Sequence, residues 1–373
     1  MGNGRGQRPD IRPGIESARI SRSDRFEKGI AGLFARKAAT SKIVRPDVCV
    51  AGVGALGWIT FMAESAWHDR TDTMARAEMQ TPRRGEVIRK MDVRTIDDHG
   101  LNILLEQLME HRFILLPGQD LSNDDYVRFG KRWGRPVILI ARKNTLDSHP
   151  EMIMQSNREA TPEFIRNVAN HWHCDSSYEA ETATFTMLYG VEAPEEGGET
   201  LFADLVAAYE ELPADKQAFY DTLLVKHATS AATPLPDEFI SDSSTLPDDF
   251  RKAVNFPDPV THPLVRTHPI NGRKALYGLG GSAYGIEGWP DEEGNRLVME
   301  LRQYATQDRF RSACKLMPGD ILIWDNFSTM HRATPIAYSD APGERRLNYR
   351  ISLKGVPDFI RGNGHDHRGR PPA

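Results

Sequence analysis

Between Thr184 and Leu353 the chain is cut into short apolar runs by clusters of glycine and proline, and this rhythm restricts the fold more than any other feature. Thr184 to Val191, Thr200 to Ala203, Leu264 to Thr267, Lys274 to Tyr277, Asp320 to Trp324 and Leu347 to Leu353 have the length of strands and are short for helices. Upstream, Phe113 to Leu116 reads as a buried strand stopped by Pro117-Gly118. Helical period is confined to a few segments. Asp98 leads into a run with Leu101, Ile103, Leu104, Leu108 and Met109, and Ser122 with Asp125 three residues later opens a second helix through Trp133. Ala207 to Leu212, Asp215 to Val225 and Glu292 to Tyr304 are further helix candidates, and no repeat of fixed period is present.

His173-Cys174-Asp175 lies just ahead of the strand-rich part, and His331 follows the Trp324-Asp325-Asn326 strand end. Residues i and i+2 of an extended chain project from one side, so His173 and Asp175 can address one ion while Cys174 points away. Two imidazoles and one carboxylate on one face of a metal, with the opposite face open, is the donor set of a non-haem Fe(II) oxygenase. The competing reading of the triplet is a hydrogen-bonded pair in a polar loop. Short strands, few helices and a metal pair near a strand end predict an α+β chain with a mainly β core, a double-stranded β-helix (jelly roll) flanked by helices.

The chain has 373 residues, 39% of them hydrophobic and 27% charged, with mean hydropathy −0.50, an ordinary composition for a globular chain with a large core. A net charge of −5 gives no reason to expect nucleic acid or an anionic membrane as partner. The three cysteines have no metal-finger or CxxC spacing, which favours a reducing cytoplasm. Val48 to Ala63 is apolar but short and glycine-rich for a membrane span, and too deep in the chain for a signal peptide. Residues 1–78 read as a poorly ordered extension, 79–356 as the catalytic-type domain and 357–373 as a loose polar tail. Met74 and Met79 precede the first well-patterned segment, so translation from one of them is an expectation that N-terminal sequencing would test.

The motifs together resemble the TauD/TfdA family of Fe(II)- and 2-oxoglutarate-dependent dioxygenases over about residues 87–355. They are Trp172-His173-Cys174-Asp175-Ser176-Ser177-Tyr178, Pro194 to Thr200 with its Gly197-Gly198 turn, and His262 to Pro269 with Gly272-Arg273-Lys274. Trp324-Asp325-Asn326 to His331-Arg332 and Arg345-Arg346-Leu347-Asn348-Tyr349-Arg350 complete the set. The Ser-Ser-Tyr run and the Arg266-Thr267-His268-Pro269 segment lean toward the phenoxyalkanoate-dioxygenase branch. The resemblance implies His173, Asp175 and His331 as iron ligands, and Thr200 with Arg346 as the pair holding the distal carboxylate of 2-oxoglutarate. It further implies Arg350 on the anionic end of the substrate, with His268 as a second candidate there. A guanidinium fork suits a carboxylate, and a threonine hydroxyl adds a donor. The implied reaction consumes O2 and 2-oxoglutarate, yields succinate and CO2, and hydroxylates a small carboxylate or sulfonate. Asp175 favours hydroxylation over halogenation, since halide takes this site in related folds where the carboxylate is missing. Family members are commonly homo-oligomers.

Two other functions compete. A jelly roll with the same ligands but no turnover would be a ligand sensor, which the added Thr200 and Arg346 argue against. Gly52-Val53-Gly54-Ala55-Leu56-Gly57 fits a dinucleotide fingerprint, yet the charged stretch from His68 to Gln80 supplies no second strand for an NAD site. His365 and His367 sit in the terminal tail with no later ligand. His171 either lines the pocket or ends the strand, His262 reads as structural, and Cys174 and Trp324 read as packing. Ile138 to Asn157 and Ser230 to Asn255 are the expected selectivity loops, and their sequences carry no substrate code.

Overall fold

The computed structural model of the chain describes residues 84–138, 145–158, 169–229 and 258–363. The expectations for residues 1–78, including Val48–Ala63, Gly52–Gly57 and the two methionines, lie outside the described residues. So do Ser230–Asn255, part of Ile138–Asn157, and His365 and His367.

In chain order the elements begin with β1 (Glu86–Val87), α1 (Asp98–His111), β2 (Phe113–Leu116), α2 (Asn123–Trp133), β3 (Arg135–Pro136), β4 (Thr145–Leu146) and β5 (His149–Ser156). The middle of the chain forms β6 (Ala183–Glu192), β7 (Thr200–Asp204), α3 (Leu205–Glu210), α4 (Ala214–Tyr220) and β8 (Leu224–His227). There follow β9 (Val260–Pro263), β10 (Val265–Thr267), β11 (Lys274–Leu276), β12 (Ala283–Ile286) and α5 (Asp291–Ala305). The last are β13 (Arg311–Cys314), β14 (Ile321–Asp325), β15 (Thr329–Ala333) and β16 (Leu347–Lys354).

An eight-stranded sheet runs β1-β2-β14-β6-β16-β5-β4, with β3 also paired to β16. A second sheet, β13-β7-β15, faces it, and β12-β8-β9 and the β10-β11 hairpin form two further small sheets. This is the jelly roll flanked by helices that the strand rhythm predicts.

Period-two alternation divides the large sheet cleanly. Ile114 and Leu116, Phe185 and Met187, Ile321 and Ile323, and Ile351 and Leu353 join one core with Leu101, Leu104 and Leu108 of α1 and Tyr126, Phe129 and Trp133 of α2. Phe113, Leu115, Leu188, Leu322 and Trp324 point the other way and meet Phe202 and Cys314 of the second sheet. Thr186, Arg350 and Ser352 occupy this second, inward face by the same alternation, at the centre of the sheet.

The helices start where their caps dictate. Asp97 accepts from the Gly100 amide, and Ser122 and Asp125 form a reciprocal capping box. The helix expected over Asp215 to Val225 ends at Tyr220, because Leu224–His227 is taken up as a strand between β9 and β12. Of the tail expected to be loose from residue 357, residues 357–363 are described and 364–373 lie outside the described residues. A 3-10 turn at Asp358–Asn363 buries Phe359 edge-on against Trp133, ring centroids 5.4 Å apart, and Ile360 joins the same core.

Candidate active site

His173 and His331 face each other across an isolated antiparallel bridge, each backbone N–H donating to the other's carbonyl at 3.0 and 2.9 Å. The extended geometry stops there. The chain turns through residues 174–177, with Ser176 at φ 55°, so the His-x-Asp spacing rests on one bridged residue followed by a turn, in place of the regular strand expected. Cys174 does point away: its buried thiol donates to the Thr329 carbonyl, and burial pushes it up to about 12.

His173, Asp175 and His331 bring one ligand atom each within 4.8 Å of one another. His173 Nε2 lies 3.7 Å from Asp175 Oδ1, and His331 Nε2 lies 3.8 Å from Asp175 Oδ2. Adjacent donors around a first-row divalent ion are roughly 3 Å apart, so the two imidazole–carboxylate pairs are within about 1 Å of that spacing and no pair of the set is more than about 2 Å beyond it. His173 Nδ1 is engaged by the His171 carbonyl at 2.7 Å, which turns Nε2 toward the site. The His331 ring is packed against His173, Trp324 and Phe202.

Charge is set by the surroundings. Burial, aided by His173, holds His331 far below its ordinary value, leaving a neutral imidazole with a free lone pair. Burial alone would raise Asp175, but Arg350, His331, His173 and the Thr186 hydroxyl outweigh it and keep the carboxylate ionised. A carboxylate beside a neutral imidazole suits a divalent metal.

Groups that single-residue reading did not assign hold this set. Thr186 Oγ1 donates to Asp175 Oδ2 at 2.5 Å. Asn326 donates through Nδ2 to Thr186 Oγ1 at 2.9 Å, while its Oδ1 accepts from Trp324 Nε1 and the Asp175 amide at 3.2 and 3.3 Å. The only sequence trace of Thr186 is that Thr184 and Thr186 interrupt an otherwise apolar strand. Behind His173, the Gly280 backbone packs directly on the His173 Cα, and Arg302 of α5 donates to the Leu279 and Gly280 carbonyls.

Arg350, inward on β16, places Nη1 3.3 Å from Asp175 Oδ1. Arg346 stands just before β16, where the ladder to β6 is irregular, so simple alternation does not orient it. Its backbone N–H is anchored on Asn157 Oδ1 at 2.7 Å, and its Cδ lies 3.9 Å from where a Gly198 Cβ would stand. Thr200 opens β7 two residues after Gly198, opposite Ala333. Arg332, Arg346 and Arg350 each have a buried Nε with no hydrogen-bond partner. Such donors are costly to bury unless an anion uses them, so the residues present fit a dicarboxylate co-substrate.

His268 is not brought to this cluster. It is 4% exposed, its Nδ1 accepts from the Ile270 amide, its Nε2 lies 3.3 Å from buried Asp325, and Phe327 stacks edge-on to it. Both nitrogens face protein groups, a structural setting, and a substrate role for His268 remains a proposal. His262 is structural too, its Nε2 on the Glu179 carbonyl.

Comparison with known proteins agrees with this geometry. The model of the taurine catabolism dioxygenase TauD, TfdA family matches residues 80–351. An alpha-ketoglutarate-dependent 2,4-dichlorophenoxyacetate dioxygenase of Cupriavidus pinatubonensis is 34% identical, covering 61% of this chain and 81% of the relative. An (S)-phenoxypropionate/alpha-ketoglutarate-dioxygenase of Sphingobium herbicidovorans is 28% identical, covering 73% and 92%. The crystal structure of a taurine dioxygenase from Burkholderia xenovorans superposes with a TM-score of 0.58 at 26% identity, over 74% of this chain and 89% of that one. The chain belongs to the TauD/TfdA family and is an Fe(II)- and 2-oxoglutarate-dependent dioxygenase.

Proposed function

We propose that this enzyme hydroxylates an aryloxyalkanoate, a small organic carboxylate carrying an aryl ether. In this reading His173, Asp175 and His331 hold Fe(II), Thr200 and Arg346 hold the distal carboxylate of 2-oxoglutarate, and Arg350 faces the anionic end of the substrate. The observation that carries it is the convergence of the three ligand atoms beside Arg350, with the buried guanidinium of Arg346 four residues away in sequence.

Bound Fe(II) with 2-oxoglutarate and O2 supplies an oxidative decarboxylation that leaves succinate and CO2 and delivers one oxygen atom to the substrate. The chain's own part is positioning and exclusion of water. The Arg346 fork and the Thr200 hydroxyl fix the co-substrate's far end, so its near end meets the metal in one orientation. Trp324 and Phe202 pack against His331 and keep that side dry. Arg350 pairs with Asp175 through Nη1 and keeps Nε free for an anion.

Two relatives carry aryloxy acids in their names, and these support the substrate class. Hydroxylation of the carbon next to an ether oxygen gives a hemiacetal, which collapses to a phenol and an aldehyde acid. Purified protein with Fe(II), 2-oxoglutarate and air is expected to release phenol and succinate in equal amounts from phenoxyacetate or its dichloro derivative. Succinate release with taurine but with neither aryloxy acid would overturn the substrate class. An unchanged KM for the aryloxy acid in Arg350→Ala would remove the anion role of Arg350. Among the described residues no helix is long and apolar enough to cross a membrane, and Cys174 and Cys314 are buried free thiols, which supports a reducing cytoplasm as the compartment.

A further inference from the structure

Asp175 has two oxygens, and neighbouring donors hold them unequally. Oδ2 accepts from Thr186 Oγ1 at 2.5 Å and lies 3.5 Å from Ser352 Oγ, whereas Oδ1 carries the longer 3.3 Å contact to Arg350. The direction of the Thr186 hydrogen bond is forced from further back. Trp324 Nε1 and the Asp175 amide are donors only, so the Asn326 atom they meet is its oxygen, and the amide cannot flip. Its Nδ2, again a donor only, therefore faces Thr186 Oγ1, which must accept at 2.9 Å. The one proton of Thr186 is left for Asp175 or for Ser352 Oγ at 3.2 Å, and the ionised carboxylate is nearer and the stronger acceptor.

All four groups are buried, so water cannot take over any of these bonds: Thr186 and Asn326 are 0% exposed, Ser352 3% and Asp175 6%. The register makes the arrangement rigid, since Thr186 on β6 sits between Ser352 on β16 and Trp324 on β14.

We infer that Thr186 is a positioning residue that fixes the rotation of the Asp175 carboxylate by donating to Oδ2, and that Asn326 sets the direction of this hydrogen bond. A carboxylate pinned at one oxygen would keep a single orientation toward the two imidazoles, and one free to rotate would not. The inference rests on the metal assignment made above and adds the groups that decide how one ligand binds.

The test is Mn(II) affinity, with the visible Co(II) spectrum as a report of coordination number, in wild type, Thr186→Val, Thr186→Ser and Asn326→Asp. Valine keeps the volume and loses the donor. Serine keeps the donor. Aspartate at 326 accepts where the amide donated, drawing the Thr186 proton off Asp175. Mn(II) affinity is expected to fall ~10–100-fold in T186V and N326D, the usual cost of losing a group that orients a metal ligand. The Co(II) spectrum is expected to change in both and to return, with affinity, in T186S. Wild-type affinity and an unchanged spectrum in whichever of T186V and N326D folds would overturn the inference. Equal losses in T186S and T186V would also overturn it, since a packing role, unlike a hydrogen bond, does not follow the hydroxyl. Failure of wild type to bind Mn(II), or binding undiminished in His173→Ala, would instead sink the metal assignment beneath it.

Discussion

Adding one methyl group at Gly280 tests whether the ligand-bearing bridge is held from behind. A Cβ there would lie 2.5 Å from the His173 Cα and 2.7 Å from the Trp172 carbonyl oxygen, both backbone atoms that cannot turn aside. Carbon–carbon contact is relaxed at about 3.5 Å, so the segment must retreat by about 1 Å. His173 is tied to His331 by two bridge hydrogen bonds, and Gly281 N–H donates to the Trp172 carbonyl, so the retreat strains the metal ligands directly. Overpacking of this kind costs ~1–3 kcal/mol of stability, and a 1 Å misplacement at a reacting centre costs ~100-fold in rate. Gly281, the next residue, is the control: nothing stands within 4 Å of its Cβ position. Gly280→Ala is expected to lower the urea midpoint by that energy, weaken Mn(II) binding and reduce 2-oxoglutarate turnover about 100-fold, while Gly281→Ala stays within about 1 kcal/mol of wild type. Equal Mn(II) affinity in the two variants would refute the claim that Gly280 fixes the position of His173.

The other expectations are independent of that contact. Arg346→Met removes the buried guanidinium and is expected to raise the 2-oxoglutarate Kd at least ~30-fold, about 2 kcal/mol, with Mn(II) affinity unchanged; titration of the Mn(II)-loaded protein decides it. Burial, with His262 and Arg266 adding to it, pushes His227 down to about 3 from 6.5 in a free chain. Between those values the unfolded chain takes up a proton that the folded one refuses, so stability falls as pH drops from 6.5 toward 3. Urea titrations of metal-free protein should show a slope shallower by up to ~1.4 kcal/mol per pH unit in His227→Gln, and identical slopes would contradict the assignment. Phe359→Ala removes a ring packed on Trp133 and is expected to cost ~3–5 kcal/mol in urea unfolding; a loss below 1 kcal/mol would mean the C-terminal turn adds little to the core.

Much of the jelly roll is legible in the sequence because its central strands alternate. Ile321-Leu322-Ile323-Trp324 feeds two cores from one run, and the segment is bounded by Gly319 and the polar turn after Asp325. β8, β9 and β12 were not legible. Leu224-Val225-Lys226-His227 continues a helical pattern and becomes a strand only because partners far along the chain bind its edges. The metal ligands are visible as residue types and spacing, yet the backbone that joins them is a bridge and a turn, which no strand period describes. Thr186 and Asn326 act through one another and Gly280 through a backbone contact with His173, and these meanings exist only once the segments that carry them have folded together. His268 illustrates another limit: its place beside a family motif is legible in the sequence, whereas its buried neighbour Asp325 is seen only in the fold.

The central claim is that His173, Asp175 and His331 form an iron site at which 2-oxoglutarate binds. Mixing the protein anaerobically with Fe(II) and then 2-oxoglutarate tests it most directly. A weak visible charge-transfer band is predicted in wild type, lost in His173→Ala and shifted to higher 2-oxoglutarate concentration in Arg346→Met. No band in wild type, or an undiminished one in His173→Ala, would contradict the account.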